Sequence, residues 1–257
     1  MNKIKDAFHG KKAFIAYLMA GDPDLDTSAQ YILAAQEAGA DLIEIGIPFS
    51  DPIAEGPVIQ QASLRALSSG ARLDRVLDMV ASLKGRMHVP LVFMTYLNPV
   101  FVYGYARFFE TCSRIGISGI IIPDLPFEHR HEVADAAGQH GVAVISLVAP
   151  TSAKRSGLIA KEAEGFVYLV SSMGVTGMRR TVGADIAARV STLREVTDLP
   201  IATGFGISTP EQAAQYAKYA DGVIVGSAIV SLIARHGADA HDALRDYIRA
   251  MKKALEG

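Results

Sequence analysis

Glu44 is the residue whose type and position point most directly to chemistry. It interrupts the apolar run Asp41–Gly46, and strand alternation would place it on one face with Leu42 and Gly46. The two isoleucines of the run would then face a helix layer, which turns Glu44 inward. Burial raises the pKa of a carboxyl, and a carboxyl that titrates near neutrality can act as both acid and base. The alternative is a glutamate satisfied by backbone N–H groups or by an arginine.

Further acids follow in the loop Pro48–Pro57 and beyond it. Three prolines stiffen this loop, and Glu55, directly before Gly56, would hang over the same end of the strand as a second carboxyl. Asp51 suits a turn, a helix cap or a contact surface. Asp124 ends a later apolar run and is predicted either to orient a neighbour or to cap the next helix.

Two glycine-rich turns predict a phosphate site. They are Gly204–Ser208 and Gly226–Ala228, and each is expected to follow a strand and open a helix. Glycine lets the backbone approach an anion, and the N–H groups at a helix start point towards it. Either turn alone is equally well explained by tight chain reversal, but the pair at adjacent strand ends favours phosphate. Gly174–Gly177, within a predicted lid over residues 171–183, would close over the same anion.

Histidine and cysteine are predicted to take no part in catalysis. The histidines are all expected in helices or in connections at the other ends of the strands: His9, His88, His129, His131, His140, His236 and His241. The single cysteine, Cys112, falls in a helical pattern with Phe108 and Phe109 and suits a core position. Neither a metal centre, which needs converging ligands, nor a serine or cysteine triad is therefore predicted.

The elements that must position these residues alternate along the chain. Short apolar runs typical of buried parallel strands alternate with helical patterns, of which Ile186–Thr197 and Leu244–Leu255 are the clearest. The strand candidates are Ala13–Met19, Leu42–Gly46, Leu91–Thr95, Gly119–Ile122, Ala143–Leu147, Phe166–Val170, Ile201–Thr203 and Val223–Val225. Eight strands, each followed by a helix, predict an α/β fold, a single (β/α)8 TIM barrel with an extra N-terminal helix, Met1–Phe8, that plugs its bottom. A doubly wound open sheet is the alternative.

Size and composition agree with one barrel domain spanning residues 1–257. The chain has 257 residues, of which 50% are apolar, and a formal net charge of −2. The length is usual for one barrel, and the near-neutral charge argues against nucleic acid or a membrane surface as a partner. The N-terminal segment lacks the apolar stretch of a signal peptide, and no apolar run approaches the roughly 20 residues of a membrane helix. A soluble cytoplasmic protein is expected.

These motifs, taken in order, resemble those of the tryptophan synthase α subunit family. The most specific part is Leu42–Gly46 running into Pro48–Pro52 and Gly56–Gln60. Four glycine motifs match in the same order along the chain: Gly21-Asp22-Pro23, Gly174-Val175-Thr176-Gly177, Gly204-Phe205-Gly206-Ile207-Ser208 and Gly226-Ser227-Ala228. The resemblance covers essentially the whole chain.

The resemblance implies a metal-independent carbon–carbon lyase that converts indole-3-glycerol phosphate to indole and glyceraldehyde 3-phosphate in tryptophan biosynthesis. It implies no cofactor in this chain. The implied partner is a tryptophan synthase β subunit, in an αββα heterotetramer, which uses pyridoxal phosphate to join indole to serine. One alternative is another phosphosugar barrel enzyme, such as a phosphoribosyl isomerase, against which the segment Glu44–Gln60 argues. The other is a regulatory module that activates a β partner with little turnover of its own.

Site residues follow from the resemblance position by position. Glu44 matches the proton-transferring glutamate, Thr176 matches a lid threonine that contacts the second carboxyl, and Asp51 matches a residue of the loop that meets the β subunit. Phosphate binding is implied for Gly177, Gly206, Gly226 and Ser227. The wall around the indole ring is implied for Tyr17, Ile59, Met94, Ile121, Tyr168 and Ile224.

The implied mechanism uses two carboxyls. Glu44 would protonate the indole ring carbon and then remove the side-chain hydroxyl proton, while Glu55 would stabilise the charge on the ring nitrogen. Glu55 stands where the family usually has aspartate, and Tyr17 where phenylalanine is common. The extra methylene of Glu55 moves its carboxylate by about 1.5 Å, the length of one carbon–carbon bond, which the loop backbone or Thr176 must absorb.

Overall fold

One sheet of parallel strands forms the centre of the molecule. The structure, a computed structural model, describes residues 3–150, 153–170, 182–204 and 206–256. The strands in these residues are β1 (Ala13–Met19), β2 (Leu42–Gly46), β3 (Leu91–Met94), β4 (Ile117–Ile121), β5 (Ala143–Val144), β6 (Ser146–Val148), β7 (Val167–Val170), β8 (Ile201–Gly204) and β9 (Gly222–Val225). All neighbouring pairs are parallel, in the order β5-β4-β3-β2-β1-β9-β8-β7-β6. Every predicted strand is therefore found.

The sheet closes into a barrel where one strand changes partner. β5 pairs with β4 and β6 with β7, while the residue between them, Ile145, donates its N–H to the carbonyl of Ile120 at 2.8 Å. β5 and β6 thus fill one position of the barrel. The predicted (β/α)8 TIM barrel is confirmed, and the doubly wound open sheet is wrong. The single strand predicted over Ala143–Leu147 is found as two segments, because the chain passes from one neighbour to the other at Ile145.

Helices cover the outside of this barrel. In the described part of the chain they are α1 (Lys3–Asp6), α2 (Leu25–Glu37), α3 (Pro57–Ser68), α4 (Leu73–Ser82), α5 (Leu97–Tyr103), α6 (Tyr105–Ile115), α7 (His131–Gln139), α8 (Ala153–Lys161), α9 (Val182–Arg194), α10 (Pro210–Ala217), α11 (Ser227–His236) and α12 (His241–Lys253). The two clearest helical patterns of the sequence are found as α9 and α12. These helices end shortly before the predicted last residues, Thr197 and Leu255. Cys112 is buried on α6, as predicted. Across the described ranges, none of these helices combines the length and apolarity needed to cross a membrane.

The extra N-terminal helix closes the lower end of the barrel, as predicted. Ile4 of α1 is fully buried, and Phe8, just after the helix, packs on Phe166 with ring centroids 5.6 Å apart. Both belong to the apolar cluster that fills the barrel interior. A Cβ added to Gly119 of β4 would come within 3.0 Å of the Ile4 side chain, so the glycine leaves room for the plug.

Asp41, directly before β2, ties this lower end together. Its carboxylate is 6% exposed, accepts the N–H of Phe14 at 2.8 Å, and pairs with Lys11 at 2.5 Å and with Lys252 of α12 at 2.6 Å. The last helix is therefore locked to the first two strands. In this fold the lower face serves stability and the opposite face, at the carboxyl ends of the strands, carries the chemistry.

Candidate active site

Glu44 points into the barrel, as strand alternation predicted. It pairs in register with Tyr17 of β1 and Val92 of β3. Leu42, two residues earlier, belongs to the interior cluster, whereas the neighbouring isoleucines belong to the cluster under the helices. The Glu44 side chain is only 1% exposed, so its carboxyl lies in the apolar interior near the upper end of β2.

The environment of Glu44 favours the neutral carboxylic acid. Burial, acting alone, raises its pKa from 4.5 to about 8. Its Oε2 atom is buried and has no hydrogen-bond partner among the residues that the structure describes. The alternative in which backbone N–H groups or an arginine satisfy this carboxyl is therefore not supported, because either would hold the pKa down. At neutral pH the group is mostly protonated.

Two buried tyrosines flank Glu44 inside the barrel. A Cβ on Gly46 would overlap the hydroxyl of Tyr17, and a Cβ on Gly204 would lie 2.5 Å from that of Tyr168. The two glycines are thus where the chain makes room for the phenol rings. Burial raises the pKa of both tyrosines well above its ordinary value, and the nearby Glu44 raises it further.

Glu55 lies at the mouth of the barrel and is held by a residue that the sequence analysis missed. The hydroxyl of Tyr96 donates a hydrogen bond to Glu55 Oε2 and accepts the N–H groups of Ile53 and Ala54 at 2.9 Å each. Burial raises the pKa of Glu55 above its ordinary value; the bond from Tyr96 and a backbone hydrogen bond lower the pKa in part, and the charge of Asp124 raises it again. Tyr96 follows the carboxyl end of β3, so its position at a strand end was the signal that could have identified it.

Hydrogen bonds from side chains of α3 hold the backbone of the loop that carries Glu55. The Ser63 hydroxyl of α3 accepts the N–H of Phe49 at 2.8 Å and donates to its carbonyl at 2.9 Å. Gln60, one turn into the same helix, donates its side-chain amide to the Glu55 carbonyl at 2.9 Å. The three prolines are therefore only part of what makes the loop stiff. Asp51 is exposed on this loop, where the Ser50 hydroxyl donates to its carboxylate at 2.5 Å.

Asp124 caps a helix, but a different one from the helix predicted. Its Oδ1 accepts the N–H of Leu97, the first residue of α5, at 2.9 Å. That helix follows β3, whereas Asp124 follows β4, so the carboxylate bridges two neighbouring connections. Of the two alternatives for Asp124, the cap of the next helix along the chain is wrong, because adjacent strand ends lie closer in space than in sequence, while the orientation of a neighbour stays a prediction.

The residues predicted to form an apolar wall lie around the same space. Ile121, Tyr168 and Ile224 are buried in the interior cluster, and Met94 packs against it. Tyr17 lies on the same face of β1 as Ala13 and Ile15 of this cluster. Ile59 of α3 lines a small cavity together with Glu55 and Tyr96. The barrel thus brings these positions to the end where Glu44 and Glu55 lie.

The two predicted glycine turns differ in how they meet a helix. Gly226 is the N-cap of α11 and provides no side-chain cap, so the N–H groups at the start of this helix, including that of Ser227, receive no acceptor from the cap. Gly206 adopts a positive φ of 78°. The predicted turn ends at Ser208 and is followed directly by Thr209, the N-cap of α10, which forms a capping box with Gln212, so this turn leads into a helix as predicted.

Part of the predicted site lies outside the described residues. Thr176 and Gly177, and the lid from residue 171 to residue 181, are in this category. The last two residues assigned to the lid, Val182 and Gly183, already belong to α9.

The prediction for the histidines is wrong for one of them. His129 lies in a 3-10 turn in the connection after β4, at the carboxyl end of a strand, because this short turn was not visible in the apolar pattern, whereas His131 is the first residue of α7. Both are exposed. His129 Nδ1 lies 2.8 Å from Glu132 Oε1, and His131 Nδ1 lies 3.2 Å from the Glu128 carbonyl. In the ranges that the structure describes, no group of three or more His, Cys, Asp or Glu is placed to hold a metal ion.

Comparison with known proteins identifies the family. The family profile described as Tryptophan synthase alpha chain matches residues 4–256. The tryptophan synthase alpha chain of Lactiplantibacillus plantarum is 48% identical over 258 residues, which cover 100% of this chain and 97% of the relative. The crystal structure of the alpha subunit from Legionella pneumophila str. Paris has a TM-score of 0.91 at 35% identity, and the match covers 100% of this chain and 99% of that one.

A further solved structure concerns a complex. It is described as the structural basis of mutual activation of the tryptophan synthase α2β2 complex from Pyrococcus furiosus, with a TM-score of 0.83 at 34% identity over 94% of this chain and 97% of that one. Sequence and fold therefore agree along nearly the whole chain, which belongs to the tryptophan synthase alpha chain family, the lyases that cleave indole-3-glycerol phosphate in tryptophan biosynthesis.

Proposed function

We propose that the chain cleaves indole-3-glycerol phosphate to indole and glyceraldehyde 3-phosphate by proton transfer through Glu44, with Glu55 as the second catalytic carboxyl. The observation that carries this proposal is the buried carboxyl of Glu44, whose pKa of about 8 leaves it protonated at neutral pH. Such a group can donate a proton at the start of the reaction and take one back later.

The steps balance with these two carboxyls. Glu44 gives its proton to the indole ring carbon that bears the glycerol chain, which leaves a positive charge on the ring nitrogen. The carboxylate of Glu55 lies opposite that nitrogen and lowers the energy of the charged intermediate. Glu44, now a carboxylate, removes the proton from the hydroxyl on the adjacent chain carbon. The carbon–carbon bond breaks, its electron pair returns to the ring, and the hydroxyl carbon becomes the aldehyde.

The remaining site residues bind and orient the substrate in this proposal. The phosphate would take the N–H groups of Gly206, Gly226 and Ser227, together with Thr176 and Gly177 from the lid. The open start of α11 supports this, because helix N-termini attract phosphate. The indole ring would lie against six apolar or aromatic side chains, namely Tyr17, Ile59, Met94, Ile121, Tyr168 and Ile224.

The wider assignment follows from the family. The whole of residues 1–257 forms one barrel domain in this proposal, supported by the single sheet that runs through it. The partner is a tryptophan synthase β subunit in an αββα heterotetramer, as in the Pyrococcus furiosus complex. Pyridoxal phosphate belongs to that partner, this chain needs no cofactor of its own, and the enzyme works in the cytoplasm.

The test is the rate of indole release from indole-3-glycerol phosphate by Glu44→Gln, which keeps the side-chain shape but cannot shuttle a proton. We expect the rate to fall by at least about 10²-fold, the lower end of acid–base effects. Glu37→Gln, an exposed position at the end of α2, is the matched control and should keep the full rate. More than a tenth of wild-type turnover in a folded Glu44→Gln would remove Glu44 from the mechanism and favour a regulatory module that acts through its partner.

A further inference from the structure

We propose that Tyr96 is a positioning residue that holds the Glu55 carboxylate, and the loop behind it, in the geometry that the reaction needs. The inference rests on the proposed role of Glu55 and extends it to a residue outside the predicted site.

The Tyr96 hydroxyl makes three hydrogen bonds to three consecutive residues. It donates to Glu55 Oε2 and accepts the N–H groups of Ile53 and Ala54. A phenol has one proton to donate and two lone pairs to accept with, so its whole capacity is used on this one segment. The carboxylate is thereby fixed relative to the backbone of its own loop, and both are fixed to Tyr96.

Tyr96 is anchored by the barrel through its backbone, and its ring also packs on the loop. Its side chain is only 3% exposed, and its ring packs on Phe49 with centroids 5.2 Å apart. The N–H groups on either side are also bound: Thr95 donates to the Ile121 carbonyl at 3.0 Å, and Leu97 donates to Asp124 Oδ1 at 2.9 Å. The backbone that carries the phenol is therefore fixed by hydrogen bonds at the junction of β3 and α5.

The bond also bears on the charge of Glu55. Burial and the neighbouring Glu55 raise the pKa of Tyr96 above its ordinary value, so the phenol keeps its proton and remains a donor. This bond lowers the pKa of Glu55 against burial and the charge of Asp124. The other titratable group facing Glu55 in the described residues is Tyr17, which stays neutral because its own pKa is raised. Removing the Tyr96 hydroxyl would therefore raise the pKa of Glu55 and leave less of the carboxylate at a given pH.

The same bond explains how the chain accommodates glutamate at this position. The extra methylene must be absorbed by something, and in the structure the longer side chain reaches the Tyr96 hydroxyl. The loop adjusts at the same point, because the two amides directly before Glu55 bind that hydroxyl as well.

The experiment compares Tyr96→Phe, Glu55→Gln and the double variant in steady-state indole release across pH. We expect Tyr96→Phe to lower kcat by about 10- to 100-fold with little change in KM, as a displaced catalytic group does. The acid limb of its pH profile should move to higher pH, since Glu55 then protonates more readily. In the Glu55→Gln background, Tyr96→Phe should add little. The control is Tyr103→Phe, which removes the hydroxyl group of a ring that packs on Phe108 and Arg107. It should change neither kcat nor the pH profile of indole release.

The outcomes separate the two proposals. A slow Glu55→Gln with an unchanged Tyr96→Phe, or with additive losses in the double variant, overturns the positioning role alone. Full turnover of Glu55→Gln overturns the role of Glu55 and this inference with it. Should Tyr96→Phe fail to fold, Glu55→Asp tests the same bond from the other side. The shorter side chain of this variant should lose its hydrogen bond to the Tyr96 hydroxyl, which should shift the NMR signal of Tyr96 ¹³Cζ relative to the wild type. An unshifted signal overturns the inference.

Discussion

Replacing Glu44 by glutamine should change how stability depends on pH. The carboxyl has a pKa of about 8 in the folded chain and an ordinary value of 4.5, a difference of 3.5 units. Below the lower value the carboxyl is protonated in both states, so its ionisation does not affect the free energy of unfolding. As the pH rises from 4.5 to 8 the unfolded chain ionises first, and the folded state loses about 1.4 kcal/mol per unit relative to it. Above 8 the loss stops growing.

The size of the effect follows from these two values. Between pH 5 and pH 9 the Glu44 carboxyl lowers the free energy of unfolding by about 4 kcal/mol. Glutamine does not ionise in this range, so Glu44→Gln does not show this pH-dependent loss of stability. The other titrating groups are common to both proteins and cancel in the difference. The variant should therefore gain about 4 kcal/mol relative to the wild type over this interval, with Glu37→Gln measured beside it as the surface control.

The assay is urea denaturation of the wild type, Glu44→Gln and Glu37→Gln at one-unit steps of pH. A chain of this length can unfold through intermediates, which makes a single free energy ill-defined. The ¹³C shift of the Glu44 side-chain carboxyl in the native state therefore provides a second, direct titration. A difference that stays constant within about 1 kcal/mol, together with an NMR midpoint near 4.5, would show a carboxylate that is ionised at rest. Such a group cannot begin the reaction as a proton donor, and the reasoning from burial would fail.

Four further outcomes are expected. Indole release, as kcat/KM against pH, should fall above about pH 8 as Glu44 loses its proton, and a flat profile to pH 10 would contradict the donor role. Gly226→Ala should fold normally, because the atom nearest to the added methyl group lies at 3.4 Å. The variant should bind phosphate more weakly in calorimetry, and unchanged binding would show that the phosphate binds elsewhere. Asp51→Ala should reduce stimulation by a β subunit while basal turnover persists, and an equal fall of both rates would place Asp51 in the site. Glu55→Asp should be slower than the parent by about 10-fold or more, because its carboxyl no longer reaches Tyr96, whereas a faster variant would mean a site built for aspartate.

The barrel could be predicted from the sequence because its signals are periodic and local. β1 and β2 were predicted with the bounds that the structure shows, since each is an apolar run whose alternation separates the two faces. The inward direction of Glu44 follows from the same alternation and needs no knowledge of its neighbours. The break at Ile145 could not be predicted, because it reflects a change of partner strand and not a change in the residues themselves.

The contacts at the mouth of the barrel could not be read in this way. Tyr96 binds a residue 41 positions away, and Asp124 binds an amide 27 positions away. Both contacts depend on how loops without periodicity pass over adjacent strand ends. Sequence reasoning therefore located the carboxyls and the glycines, each of which has a local signal, and missed the side chain that connects Glu55 to the barrel.

The two carboxyls differ in what surrounds them, and that difference assigns their parts. Glu44 has burial alone, which keeps it neutral at rest, as an acid must be. Glu55 is also partly buried, but a phenol that keeps its own proton donates to it and favours its charged form. Burial raises the pKa of both carboxyls, but in the described residues a donor that favours the charged form is found at Glu55 and not at Glu44 Oε2. The division of labour between Glu44 and Glu55 therefore depends on the Tyr96 hydroxyl, because its removal would leave burial unopposed at both carboxyls.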